Sequence, residues 1–199
     1  PLVVLQWFRT RNFAFPVFSQ MFTNFAYMGG FFLIPQVLGT RGLGLSSTTI
    51  GNLVISRPLA FSLIAPVAAL VTLRVGERVA GVAGAVGVIA SMVMWATVGL
   101  GAGYPFIIAA TAMSGIGLGI SSPALTSLMA GSVESADLGV AGAMQQLMTQ
   151  LGAVLGSAVL ATVSVTADRH DMGPFHAAFL VAAVVAAAGM ACSAFVRST

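Results

Sequence analysis

Residues 48–78 read TTIGNLVISRPLAFSLIAPVAALVTLRVGER, and this stretch decides the fold class. Its apolar run covers residues 48–73, about 26 residues, and as a helix it would be about 39 Å long. That length exceeds the thickness of a hydrocarbon core, which is about 30 Å. The run therefore predicts a helix that spans a membrane.

One charged side chain, Arg57, interrupts this run near the predicted middle of the membrane. An arginine at that depth costs at least about 2.5 kcal/mol on insertion scales, so it is expected to face protein or water. Pro58 and Pro66 also deprive two carbonyls of their helical partners. Two interpretations of Arg57 follow. It faces a cavity and contacts a substrate or a carboxylate, or it satisfies carbonyls freed by Pro58 or bridges to a neighbouring helix.

The composition of the whole chain supports an integral membrane protein. Of its 199 residues 58% are hydrophobic and 7% charged, against about 25% charged in ordinary soluble domains. All eight basic residues are arginines, set against five acids, and most of them flank apolar runs. We interpret this excess as membrane topology and predict no nucleic-acid partner. The single cysteine, Cys192, provides neither a disulfide nor a metal site.

Six apolar runs predict six membrane-spanning helices, at about residues 13–38, 48–73, 79–100, 104–130, 138–165 and 175–196. The chain starts at Pro1 without a methionine and ends three residues after its last apolar run, so we expect it to be a piece of a longer protein. With the start inside, five arginines fall in inner segments and two in outer loops. Because positive charge accumulates in cytoplasmic loops, both ends of the segment are predicted to be cytoplasmic. The inner arginines are Arg9, Arg11, Arg74, Arg78 and Arg197, and the outer ones are Arg41 and Arg169.

Polar side chains are distributed unevenly among the spans. The third and sixth spans carry scarcely any, whereas the other four carry several. This polar, polar, apolar order, repeated once, predicts an all-α bundle of two three-helix repeats. The first, second, fourth and fifth spans are then expected to face a central cavity, and the third and sixth to lie outermost, against lipid.

The cavity candidates are the polar residues that share a helix face within those four spans. Hydrogen bonding between helices is the alternative role for each, at about 0.6 kcal/mol per bond. Tyr27 could also present its ring face to an apolar or cationic ligand. The candidates are Gln20, Asn24, Tyr27, Arg57, Ser114, Gln146 and Gln150.

Small residues four positions apart predict close helix packing. Within the predicted spans, two pairs of glycines have this spacing, Gly115 with Gly119 and Gly152 with Gly156. Together with Pro58, these glycines are candidates for packing and for the gating movements of the bundle.

Four motifs in order resemble those of the Major Facilitator Superfamily, specifically the fourteen-helix drug:proton antiporters. GLSSTTIG at residues 44–51 is similar to the outer entry of their eighth core helix. RVGER at residues 74–78 resembles their cytoplasmic loop motif, carried here by Arg74, Gly76 and Arg78. GIGLGISSPALTSL at residues 115–128 and GVAGAMQQLMTQLGAVLG at residues 139–156 are similar to their tenth and eleventh core helices. The chain thus looks like the C-terminal six-helix half of such a transporter.

The resemblance implies a transporter of the plasma membrane that exports an amphipathic or cationic small molecule by alternating access. Its partners would be the lipid bilayer, the N-terminal half of the same protein and the small-molecule substrate. No cofactor is implied, because a proton gradient would supply the energy. Since no Asp or Glu falls within the six predicted spans, a proton-carrying carboxylate is expected in the other half.

Three alternatives differ in class. A related facilitator could carry a sugar or another specific metabolite, and a relative without transport could serve as a membrane receptor or scaffold. An intramembrane serine protease using Ser114 and His176 is the enzymatic alternative. Because both of their helices enter from the outside, Ser114 would lie about 15 Å deeper than its entry and His176 near its own. A nucleophile and its base must lie about 3 Å apart, so we predict that the protein is not an enzyme.

Overall fold

A computed structural model describes residues 5–39, 43–99, 101–165 and 172–196 of the chain. Throughout these residues the regular structure is helical, and six of its segments are long and apolar enough to cross a membrane. The α-helices are α1 (Arg11–Leu38), α2 (Ser47–Val54), α3 (Ser56–Val75), α4 (Glu77–Ala96), α5 (Tyr104–Ala130), α6 (Leu138–Ser164) and α7 (Gly173–Ala194). Short 3-10 helices precede α1 at Leu5–Arg9 and α6 at Ser135–Asp137.

The predicted second span consists of two helices, because the helix breaks at Ile55 between α2 and α3. Pro58 lacks the N–H that would bond the carbonyl of Val54, so the regular ladder stops there. Beside the break, Ser56 donates its hydroxyl to the carbonyl of Leu53 at 2.7 Å. The break places Arg57 in the first turn of α3.

Local sequence explains where other helices begin and end. Ser46 caps α2 by accepting a hydrogen bond from the backbone N–H of Thr49. Gly76 ends α3 and begins α4 with φ +86°, a backbone conformation that side-chain-bearing residues rarely adopt. Pro105 lies in the first turn of α5, where its missing N–H costs nothing. The end of the bundle that holds residues 74–78 is called the motif end, and the opposite end the far end.

The helices form two rows. In the front row α3 packs on α5, α5 on α1, and α1 on α6. In the back row α4 packs on α7, and these two helices also cover α5 and α1. The pairing of α1 with α6 corresponds to that of α5 with α3, as expected for two three-helix repeats. The structure thus confirms the six-helix bundle predicted from the sequence.

Glycines allow the closest helix contacts in the front row. A Cβ on Gly115 would collide with the carbonyl oxygen of Arg57, and one on Gly119 with the side chain of Ile64. The same pattern recurs between α6 and α1, where a Cβ on Gly152 would meet the carbonyl oxygen of Met21. Gly156 is equally close to the carbonyl oxygen of Phe25. Both pairs therefore lie where two backbones touch.

The back row is held by apolar packing and by serine bonds between helices. Trp95 of α4 stacks on Phe179 of α7 with ring centroids 5.6 Å apart. Ser91 donates to the carbonyl of Ala110 on α5 at 2.6 Å. At the motif end, Ser19 of α1 and Ser193 of α7 lie 2.6 Å apart, oxygen to oxygen.

Burial within this half differs among the helices, and the expected lipid contact of α4 and α7 stays a prediction. In their most apolar windows, 44% of α4 and 39% of α7 is buried, against 11% of the α2–α3 span and 22% of α6. The reason is geometric, since α3 and α6 stand at the two ends of the front row and each has one main neighbour. Arg41, Arg169 and Arg197, used to predict the orientation, lie outside the described residues.

Candidate substrate cavity

Arg57 is fully buried within this six-helix half. Its side chain leaves α3 and reaches α1, where Nη2 donates to the backbone carbonyl of Tyr27. The guanidinium also lies over the Tyr27 ring, with Cζ 3.6 Å from the ring centroid and 5.5 Å from the centroid of Phe31. A cation on an aromatic face is stabilised by the ring quadrupole, most strongly where water is excluded.

This arrangement decides between the structural roles considered for Arg57. The guanidinium bridges α3 to α1 and does not fill the gap left by Pro58, whose own side chain is exposed. Two of its three nitrogens, Nε and Nη1, have no hydrogen-bond partner among the described residues. A buried cation with free donors is costly unless an anion or a polar group completes it.

A second polar cluster joins α1, α5 and α6 towards the motif end. Gln145 donates from Nε2 to the Gln20 amide oxygen at 2.6 Å and to the Thr126 hydroxyl at 2.9 Å. Gln20 in turn donates to the Ser122 hydroxyl at 3.1 Å. Asn24 donates to the backbone carbonyl of Gln20, one turn earlier on α1. The amide groups of Gln20 and Asn24 are therefore engaged inside the bundle.

Gln145 was not among the residues predicted from the sequence, which singled out its neighbour Gln146. The structure buries Gln145 and exposes Gln146 and Gln150. The spacing of Gln145 from Gly152 and Gly156 could have identified it, because residues 145, 152 and 156 share one helix face. A face with two tightly packed glycines faces a neighbouring helix, so its glutamine also lies between helices.

An open groove of about 840 Å³ lies between α1 and α6, towards the far end of the bundle. The α1 side is formed by large side chains, and the α6 side by small ones that continue the polar face of Gln146 and Gln150. Phe31 links the groove to Arg57, because Phe31 lines the groove and its ring lies beside the Arg57 guanidinium. The principal lining residues are Met28, Phe31, Phe32, Pro35, Ala153 and Ser157.

The seven cavity candidates therefore fall into two groups. Gln146 and Gln150 are exposed on α6. The others are buried within this half, and they are Gln20, Asn24, Tyr27, Arg57 and Ser114.

Ser114 and His176 have separate partners. Ser114 donates to the carbonyl of Thr111 on its own helix at 2.7 Å, and it is fully buried. Nε2 of His176 lies 2.8 Å from the carbonyl oxygen of Val98, which ties the start of α7 to the end of α4 at the far end. Neither side chain is poised to activate the other. Among the described residues, no group of three or more His, Cys, Asp or Glu side chains could hold a metal ion.

The loop motif lies at the turn between α3 and α4. Arg74 and Arg78 are exposed on either side of Gly76, which makes the turn. Leu73, which directly precedes the motif, is 83% exposed. Both arginines are free to contact a protein surface or lipid headgroups at this end.

Six apolar helices in two related triplets, one of whose spans is broken, are typical of secondary transporters, which are built from such repeats. A family model described as the Major Facilitator Superfamily matches residues 17–199. The chain therefore belongs to the Major Facilitator Superfamily. It is a multi-pass membrane protein of a transporter family and not an enzyme. No curated protein matches the chain by sequence.

Solved transporters of the POT family have a similar fold. A mutant peptide transporter POT in complex with sulfate aligns with a TM-score of 0.76 at 20% identity, over 91% of this chain and 36% of that one. A POT family transporter in complex with a thioalcohol-conjugated peptide gives 0.77 at 20% identity, over 92% and 37%. One in complex with 5-aminolevulinic acid gives 0.76 at 20% identity, over 92% and 37%. The chain thus spans little more than a third of the length of these transporters.

Proposed function

We propose that this chain is the C-terminal half of a drug:proton antiporter of the fourteen-helix type. The complete protein exports drug-like or amphipathic small molecules across the plasma membrane by alternating access. Both ends of the segment lie in the cytoplasm, so the motif end is the cytoplasmic end. The N-terminal half of the same transporter covers the front row, and the substrate passes between the two halves.

The buried Arg57 is the observation that carries this proposal. A charge at the depth of the bilayer centre is expensive and is retained where it acts on a substrate or ion path. Here it lies in a span whose helix breaks at Ile55, two residues before it, and irregular backbone at that depth is tolerated only beside protein or a cavity. Its two unpartnered nitrogens leave donors available to an anion.

The proposed mechanism is rocking of this half against the other. Glycine contacts between α5 and α3 and between α6 and α1 keep each pair rigid, so each half moves as a body. Among the described residues the acids are Glu77, Glu134 and Asp137, all at the motif end. The proton is therefore assigned to a carboxylate of the N-terminal half.

The test is transport by the complete protein in everted membrane vesicles with an imposed proton gradient. Dansylated amphipathic probes of both charge signs are tested, at least one of them should accumulate inside the vesicles, and a protonophore should abolish the accumulation. The six-helix half expressed alone should give none, because it forms only one wall of the path. Failure to move any probe, from protein verified in the membrane, would contradict antiport. It would favour a facilitator for a specific metabolite or a receptor without transport.

The ligands named for the POT transporters are not assigned to this chain. At 20% identity the likeness extends to the fold and not to the residues that bind a peptide or 5-aminolevulinic acid. Peptide transport therefore has no specific support in this chain.

A further inference from the structure

We propose that the groove between α1 and α6 binds an amphipathic organic anion whose carboxylate pairs with Arg57. The inference rests on the proposed function and assigns the charge of its substrate. The apolar body of the ligand would lie between Phe32 and the small residues of α6. Its carboxylate would reach the guanidinium past Phe31.

Charge complementarity is the first argument. Arg57 is fully buried and still has two guanidinium nitrogens without a partner. The acids of the described residues all lie at the motif end, so none of them lies in the spans beside the groove. A carboxylate accepts charge-assisted hydrogen bonds from Nε or Nη1, and such bonds are about twice as strong as neutral ones.

The occupied face of Tyr27 is the second argument, and it excludes the simplest site for a cation. From the sequence, the ring face of Tyr27 was a candidate site for an apolar or cationic ligand. In the structure Arg57 already covers it at 3.6 Å. A cationic ligand there would find the ring face already occupied by Arg57 and would be repelled by the positive charge of Arg57, so its binding is disfavoured.

The shape and lining of the groove are the third argument. Ligand sites are usually concave and mostly apolar, with a few polar groups that set orientation. The groove's volume of about 840 Å³ lies within the usual range of ligand pockets, about 300 to 1,000 Å³. Most of its lining is apolar, from Met28, Phe32 and Pro35 on one side to Val154 on the other. Such a surface fits a hydrocarbon or aromatic body.

Phe31 stands between the groove and the charge. It lines the groove and is 47% exposed, while Arg57 beside it is fully buried. Rotation of this ring is the movement by which a ligand in the groove would reach the guanidinium. Phe31 is thus assigned as a lid that keeps Arg57 dry until a ligand displaces it.

Binding to the purified complete transporter in lipid nanodiscs tests the inference with two probes that share a fluorophore. 11-(Dansylamino)undecanoate carries a carboxylate, and dansylcadaverine carries an amine. We expect the carboxylate probe to bind more tightly. Arg57→Met, which keeps the volume and removes the charge, should weaken it by about tenfold or more. Arg57→Lys should retain part of the affinity, and Arg11→Met, at an exposed arginine, should change neither probe.

Other outcomes overturn the inference. Tighter binding of the amine would refute the assigned charge, and binding of neither probe would refute the site. Equal weakening of both probes in Arg57→Met would mean that Arg57 supports the structure of the site and does not pair with the ligand's carboxylate. Transport of the amine probe alone in vesicles would leave antiport standing and reject only the anion, whereas transport of no probe rejects both.

Discussion

The guanidinium of Arg57 rests on the ring of Tyr27, and its Nη2 donates to the carbonyl of the same residue. This contact joins α3 to α1 across the glycine-rich face of α5, where Gly115 touches the backbone of Arg57. One residue therefore connects both repeats of the bundle through its side chain and its backbone. Any movement of α3 along α5 must also change the position of this charge.

The backbone contact between α6 and α1 is predicted to depend on Gly156. In Gly156→Ala the new methyl group would meet the carbonyl of Phe25, so the two helices must separate. Overpacking of this kind costs about 1 to 3 kcal/mol. The melting temperature of the complete protein in detergent should fall by several degrees.

Gly142→Ala is the matched control on the same helix, because nothing lies within 4 Å of the added Cβ. Its melting temperature should be equal to the wild type or slightly higher, since alanine favours helices. Equal losses in the two variants would contradict the close contact at Gly156.

The neighbouring glutamines of α6 are predicted to have opposite roles. Gln145→Leu removes the donor to Gln20 and Thr126, and it should destabilise the protein by roughly 1 kcal/mol. Gln146→Leu alters an exposed side chain and should leave the melting temperature unchanged while altering transport. Thermal unfolding and vesicle uptake, measured on both variants, distinguish the two roles. A stability loss confined to Gln146→Leu would reverse the assignment.

The polar face of α6 is predicted to line a water-filled path in the complete transporter. In a Cys192→Ser background, Gln150→Cys should react with a membrane-impermeant methanethiosulfonate. Leu155→Cys, on the opposite and apolar side of α6, should not, although Leu155 is 49% exposed in this half. Mass spectrometry of the labelled protein gives the extent of reaction. Equal labelling at both positions would mean that the polar face does not define the path.

Ser114 is predicted to be dispensable for transport. Its hydroxyl bonds the carbonyl of Thr111 within one helical turn, so Ser114→Ala should leave uptake within about twofold of the wild type. A serine-reactive phosphonate should not inhibit the transporter. Inhibition that disappears in Ser114→Ala would reveal a nucleophilic role.

The sequence was sufficient for the class of fold, because long apolar runs and a repeated polarity pattern report directly on membrane spans and their order. It also placed the packing glycines, since small residues four positions apart mark a close helix face. The kink at Pro58 followed from the missing N–H. These features depend on local chemistry.

The partners of the polar residues could not be predicted in the same way. Arg57 bonds a residue 30 positions earlier, and Gln145 bonds one 125 positions earlier. Such contacts depend on how separate helices meet, within one repeat for Arg57 and between the two repeats for Gln145, and periodicity within one helix does not specify this. For the same reason, the sequence did not reveal that Arg57 covers the ring of Tyr27.

The most direct test of the account is proton-gradient-driven uptake by the complete protein carrying Arg57→Met, compared with Arg57→Lys and the wild type. Arg57 lies on the proposed substrate path, so Arg57→Met should lose most of the uptake while the protein remains folded in the membrane. Arg57→Lys should retain a measurable part, because it keeps the charge. Unchanged uptake in Arg57→Met would contradict the central claim and make Arg57 a structural bridge between helices.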